Sequence, residues 1–196
     1  MARRRASARS RARRASSVTF ARASTSSSSK AYRPGGSTSL RSRTVESDRE
    51  TVARQLGREP RAFRRVVVRC PFGRPAVTQQ TPYDDAGAPF PTTYWLTCPH
   101  LVAQVSRLEA GGGVERWTRA AKEQPELAAS LARADGEQRR LRPELDLGIG
   151  GARSGAGTLK CLHAHVAFAL ARPGYDLGDK IVQELEPLWP SSCCSE

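Results

Sequence analysis

Hydrophobic and polar positions along this 196-residue chain change period several times. Val52 and Leu56 lie four apart, on one helical face, behind Ser47-Asp48-Arg49-Glu50, which has the form of a capping box, and ahead of Gly57, a helix stop. Pro60 then keeps the chain extended. Residues 62–69, centred on Val66-Val67-Val68, predict a strand, Cys70-Pro71-Phe72-Gly73-Arg74-Pro75 a turn, and residues 76–81 a second short strand. The stretch from Pro82 to Pro91, with Asp84-Asp85-Ala86-Gly87 inside it, reads as a loop, and residues 92–97 as a third strand rich in β-branched and aromatic side chains.

Beyond Cys98 the period becomes helical. Pro99 suits the first position of a helix whose stripe is Leu101, Val102, Val105 and Leu108, and Gly111-Gly112-Gly113 stops it. Residues 114–122 make the next helix, and Pro125 opens a longer one reaching about Leu141, striped by Leu127, Leu131, Ala134 and Leu141. Residues 143–157 are glycine-rich. A phosphate-cradling loop needs a Gly-Lys-Ser/Thr continuation that is missing here, so this stretch reads as a connector. Helices over 158–171, ended by Pro173-Gly174, and over 179–188, burying Ile181, Val182, Leu185 and Leu188, complete the pattern. Trp189 packs on the body and residues 191–196 fray. The expected fold is α+β: one domain over 46–190 with a small antiparallel sheet of two to three strands packed with about five helices.

Charge changes the picture at the N-terminus. The formal net charge is +13, yet residues 1–44 hold eleven Arg, one Lys and no acid, while the rest carries twenty basic and nineteen acidic side chains. Basicity is therefore a property of an arm, not of the domain. With Val18, Phe20, Tyr32 and Leu40 as its large apolar side chains, residues 1–45 cannot offset their ordering entropy and are expected to be disordered. Three readings of the arm stand: nucleic-acid binding by phosphate neutralisation, an organelle transit segment, or sequence upstream of a start at Val45. It lacks RGG repeats and has almost no aromatics for stacking on bases. No apolar run approaches the roughly 20 residues that cross a bilayer, and no secretory signal is recognisable. Five cysteines, an odd number, then predict reduced thiols in a cytoplasmic protein.

The candidate chemistry is thiol and imidazole. Each of the three histidines follows a cysteine within four residues, in Cys98-Pro99-His100 and Cys161-Leu162-His163-Ala164-His165. Cys70 and Cys98 both end a strand and precede proline, so adjacent strand ends would bring them together. Adding Cys161 and one of His163 or His165 makes a Cys3His zinc site. On a helix running from Thr158, Cys161 and His165 share a face; His163 joins Cys161 only if that helix starts later. No Cys-x-x-Cys pair marks the site. The alternatives are plain burial of Cys70, Cys98 and Cys161 as small hydrophobes, or a thiolate nucleophile. The nucleophile would be Cys98, at a helix N-terminus, or Cys161, with His163 or His165 as base. Cys193-Cys194 falls in the tail.

From Val52 onward the chain resembles the bacterial, mainly actinobacterial, domain-of-unknown-function family 501. The resemblance rests on Val52-Ala53-Arg54-Gln55-Leu56-Gly57-Arg58, Arg69-Cys70-Pro71 with Gly73 and Pro75-Ala76-Val77, and Pro89-Phe90-Pro91-Thr92 with Tyr94-Trp95-Leu96-Thr97-Cys98-Pro99. It continues in Ser106-Arg107-Leu108-Glu109, Lys160-Cys161-Leu162-His163-Ala164-His165 and Gly178-Asp179, spanning about residues 46–190. Members often carry a second cysteine two residues after the first, where this chain has Phe72. The family implies no activity. The expected function is a non-catalytic accessory or binding domain stapled by zinc, with a thiol-dependent enzyme and nucleic-acid binding through residues 1–44 as the alternatives.

Overall fold

The computed structural model describes residues 45–151 and 159–194. The arm over 1–44, and with it the expected disorder and nucleic-acid binding, lies outside the described residues, as do parts of the glycine-rich connector and the last two residues. Helix α1 spans Val45–Leu56, starting three residues before the Asp48 that a cap at Ser47 implies, and Gly57 (φ 65°) ends it in the left-handed conformation that glycine adopts without strain. Strands β1 (Phe63–Arg69), β2 (Pro75–Gln80) and β3 (Tyr94–Leu96) form one antiparallel sheet in the order β1-β2-β3. The β1–β2 turn closes through the Cys70 N–H to Arg74 O at 2.9 Å and the Gly73 N–H to Cys70 O at 2.8 Å. In the β2–β3 pairing, Val77 faces Leu96 and Gln79 faces Tyr94.

Helices α2 (Pro99–Ala110), α3 (Gly113–Glu123) and α4 (Pro125–Leu141) follow; proline opens α2 and α4, and Gly111 caps the end of α2. A 3-10 turn at Ile149–Gly151 leads towards α5 (Leu162–Ala171) and α6 (Asp176–Gln183). Six α-helices and a three-stranded antiparallel sheet among the described residues make the fold α+β. Helix α1 lies against β1 and β2, whereas α5 packs on β3, α2 and α6. Seven of the ten α5 residues are buried, Leu162, Ala164 to Phe168 and Ala169 among them, so α5 is the centre of the core rather than an amphipathic cover. No helix among the described residues is long and apolar enough to cross a membrane.

The start of α5 and both ends of α6 also differ from expectation. Helix α5 begins at Leu162 rather than Thr158. Leu159 and Lys160 are not helical, and Cys161 is an extended N-cap (φ −160°, ψ 122°). Helix α6 begins at Asp176 and ends at Gln183, not 179–188. Pro187 lacks an N–H, and its ring would meet the carbonyl four residues back, which is that of Gln183. Leu185 is nevertheless buried, and Val182, Leu188 and Trp189 pack against the core.

A candidate metal centre at the α2–α5 junction

Helix α2 presents Val102, Ser106 and Glu109 at intervals of four and three residues, so the three share a face. The start of α5 meets that face. The Glu109 Oε1 accepts the backbone N–H of Leu162 at 2.6 Å, placing a carboxylate at the exposed N–H groups and positive dipole end of α5. Because Cys161 is extended while Leu162 and His163 are helical, the Cys161 thiol and the His163 ring turn to the same side. The Cys161 Sγ lies 3.7 Å from His163 Nδ1, and Glu109 Oε1 lies 3.2 Å from that same nitrogen. All three ligand atoms fall within 4.8 Å of one another, and all three residues are half-buried.

The remaining ring nitrogen faces α2. His163 Nε2 is 3.3 Å from the Val102 carbonyl and 3.3 Å from Ser106 Oγ. A carbonyl oxygen only accepts, so the Nε2–H donates to it and Nδ1 is the nitrogen turned towards sulfur and carboxylate. The imidazole is held above its ordinary pKa, first by the bond to Cys161 and then by the Glu109 charge, with burial opposing. The group therefore contains a nitrogen, a thiol sulfur and a carboxylate oxygen aimed at one point. It is a set within metal-binding reach.

The other expected ligands lie elsewhere. Cys70 is buried in the β1–β2 turn and belongs to the hydrophobic core. Cys98, the N-cap of α2, is buried too, with its Sγ 3.4 Å from that of Cys194. His165 is 1% exposed; its Nδ1 lies 2.7 Å from the Tyr175 hydroxyl, its Nε2 has no partner among the described residues, and burial pushes it down to about 4. Two residues past His163 on a helix is about 200° of rotation, so the two imidazoles take opposite sides of α5. His100 Nε2 approaches the Pro187 carbonyl at 3.0 Å. Of Cys70, Cys98, Cys161, His163 and His165, the fold groups Cys161 and His163 and replaces the expected further thiols with Glu109. The Cys161–His165 face-sharing fails because Cys161 precedes the helix.

Glu109 carried no signal among the cysteines and histidines. Ser106 and Glu109, three apart on a polar edge beside the apolar stripe of α2, are the feature that could have pointed to it.

Residues 66–147 match the model of a family described as Protein of unknown function (DUF501). That segment includes Glu109 and ends before Cys161 and His163. No curated protein and no solved structure matches the chain. The matched segment runs from β1 into the loop after α4, and over that stretch the chain is similar to the DUF501 family.

Proposed function

We propose that this chain is a non-catalytic, cytoplasmic metal-binding domain in which Glu109, Cys161 and His163 hold a zinc ion that fastens α2 to α5. The observation that carries the reading is the convergence of three different ligand atoms while His163 Nε2 is turned to Val102. Tetrahedral zinc, with bonds of about 2.3 Å to sulfur and 2.0–2.1 Å to nitrogen and oxygen, separates S from N by about 3.6 Å and N from O by about 3.4 Å. The distances here are 3.7 Å and 3.2 Å. Metal-bound histidines commonly donate their second N–H to a carbonyl or carboxylate, the role Val102 fills. With three protein ligands, the fourth position is left for water or for a donor from a partner.

The competing reading, Cys161 as nucleophile with His163 as base, is less well supported. In a nucleophile–base–carboxylate relay, the thiol and the carboxylate occupy opposite ring nitrogens. Here both approach Nδ1.

Metal analysis of the purified full chain, dialysed against limiting zinc, tests the proposal. One zinc per chain is expected, with affinity reduced by more than about 100-fold in Cys161→Ser and in His163→Ala, beyond the 10–100-fold typical of an outer-sphere change. Ser106→Ala, which touches only the outer nitrogen, should fall within that lesser range. Metal-free wild-type protein, or stoichiometric zinc retained by both ligand variants, would overturn it.

A further inference from the structure

A second gathering of sulfur lies at the other end of α2. The Cys98 Sγ is 3.4 Å from the Sγ of Cys194, 96 residues further along the chain. A disulfide has a bond length of about 2.05 Å, so a closing movement of somewhat more than 1 Å would join the two. The sulfurs differ in access. Cys98 is 1% exposed, and burial pushes its thiol up to about 11. Cys194 is half-buried and lines a cavity of about 300 Å³ with Thr51, Arg54, Gln55, Arg74 and Pro99. That volume is at the lower end of the roughly 300–1,000 Å³ of small-molecule sites. Arg54 donates to Thr51 Oγ1 at 3.1 Å, and neither Arg54 nor Arg74 has a carboxylate partner among the described residues. An accessible thiol thus opens on a small cavity with two uncompensated guanidiniums in its wall.

We propose that Cys194 and Cys98 are a redox-active dithiol, oxidised to an intramolecular disulfide by a small anionic disulfide that docks between Arg54 and Arg74. In the first step Cys194, its proton released to solvent, attacks one sulfur of the docked disulfide RSSR. The RS–SR bond breaks, RS⁻ leaves and takes a proton from water, and Cys194 carries a mixed disulfide. In the second step Cys98, its proton likewise released, attacks the Cys194 sulfur and expels the second RS⁻. Two protein thiols lose two electrons and two protons, and one RSSR becomes two RSH. Access sets the order, because Cys194 faces the cavity and Cys98 faces the core. The product ties the C-terminal segment to the start of α2, beside the Pro187 carbonyl that His100 and Gln104 already reach at 3.0 Å and 2.7 Å. No residue of the proposed zinc group takes part.

Treating the reduced, metal-depleted full chain with oxidised glutathione, followed by non-reducing peptide mapping, tests this. The expected product has lost the mass of two hydrogens, links the Cys98 and Cys194 peptides, and retains three free thiols of five. Cys98→Ala should stall with glutathione on Cys194, and Cys194→Ser should leave Cys98 unmodified. Circular dichroism of each reduced variant checks that it is folded. Arg54→Gln with Arg74→Gln should slow the reaction with oxidised glutathione several-fold, while leaving the rate with the uncharged 2-hydroxyethyl disulfide unchanged. A Cys193–Cys194 bridge, a stable glutathione adduct in the wild type, or equal slowing towards both disulfides would overturn the proposal.

Discussion

Gly178 is the third residue of α6, and replacing it with alanine sets two effects against each other. Helix propensity favours alanine by about 1 kcal/mol. Packing opposes it. A methyl group there would fall 2.3 Å and 2.6 Å from Tyr175 Cδ1 and Cε1 and 2.7 Å from Ala169 Cβ. Carbon atoms pack at about 3.5–4.0 Å, so the tyrosine ring must retreat by about 1 Å. It has little room to do so. Tyr175 is 3% exposed, its hydroxyl is 2.7 Å from His165 Nδ1, and its ring stands edge-on to Phe168 at 5.9 Å. Overpacking costs about 1–3 kcal/mol, and a lost buried hydrogen bond about 1–3 kcal/mol. Net of propensity, Gly178→Ala should destabilise the chain by about 3 kcal/mol. Urea unfolding followed by circular dichroism reads this as a lowered midpoint at unchanged slope. In a Tyr175→Ala background the same substitution should cost at least about 1 kcal/mol less, because the ring that it strikes is gone. A Gly178→Ala chain as stable as the parent, or more stable, would show that propensity governs α6 and that the Tyr175 contact is yielding.

The remaining predictions concern buried charge. Arg142 is 2% exposed, donates to the carbonyls of Phe90 and Gln80, has no carboxylate in ion-pair range among the described residues, and is pushed down to about 10 by burial. Arg142→Lys keeps a buried cation but loses the planar fork that reaches both carbonyls; it should cost about 3 kcal/mol and destabilise more than Arg142→Met, which removes the charge. Urea midpoints in the reverse order would refute this. Asp135 accepts the Ile149 N–H at 2.8 Å, and burial raises its carboxyl above the ordinary range. Its folded pKa exceeds the unfolded one, so between the two the native state binds more protons and gains stability as pH falls. Wild type should therefore gain on Asp135→Asn as pH drops from neutral to the ordinary carboxylate pKa. A relative loss of wild-type stability over that window would contradict the assignment.

Most boundaries were legible because they are punctuated by residues with fixed backbone preferences. Pro99 and Pro125 open α2 and α4, and Gly57 closes α1. The ends of α5 and α6 were not, because they depend on what the chain meets. Apolar periodicity runs through Leu185 and Leu188 although Pro187 stops the helix at Gln183, and both leucines reach the core without it. At α5, the Glu109 carboxylate takes the Leu162 N–H, an anchor supplied by a residue 53 positions away. The site followed suit. The condition under which Cys161 and His163 meet, a late start to α5, could be written from spacing alone, but the carboxylate that helps to impose it is a tertiary contact. Strand ends drew attention to Cys70 and Cys98, yet the pairing of β1 with β2 and of β2 with β3 buries each thiol in the core instead of joining the two.

The two sulfur centres are separable because of how α2 distributes its faces. At about 100° per residue, buried Leu101 and Val105 and half-buried Leu108 form a central core-facing stripe; His100 and Gln104 lie on one flank, and Val102, Ser106 and Glu109 on the other. The first flank holds the C-terminal segment through Pro187, and the second holds the start of α5 through Leu162 and His163. Cys98 and Glu109 are eleven residues apart, about 16 Å along the axis at 1.5 Å per residue. Sites beyond about 7–10 Å that share no partner combine their effects additively, within about 0.5 kcal/mol. Zinc affinity should thus be the same in the dithiol and disulfide forms, and the rate of disulfide formation the same in Cys161→Ser and wild type. Coupling between them would mean that α2 shifts as a rigid rod against the α5 core, and each ligand variant would then have to be read as a perturbation of both ends.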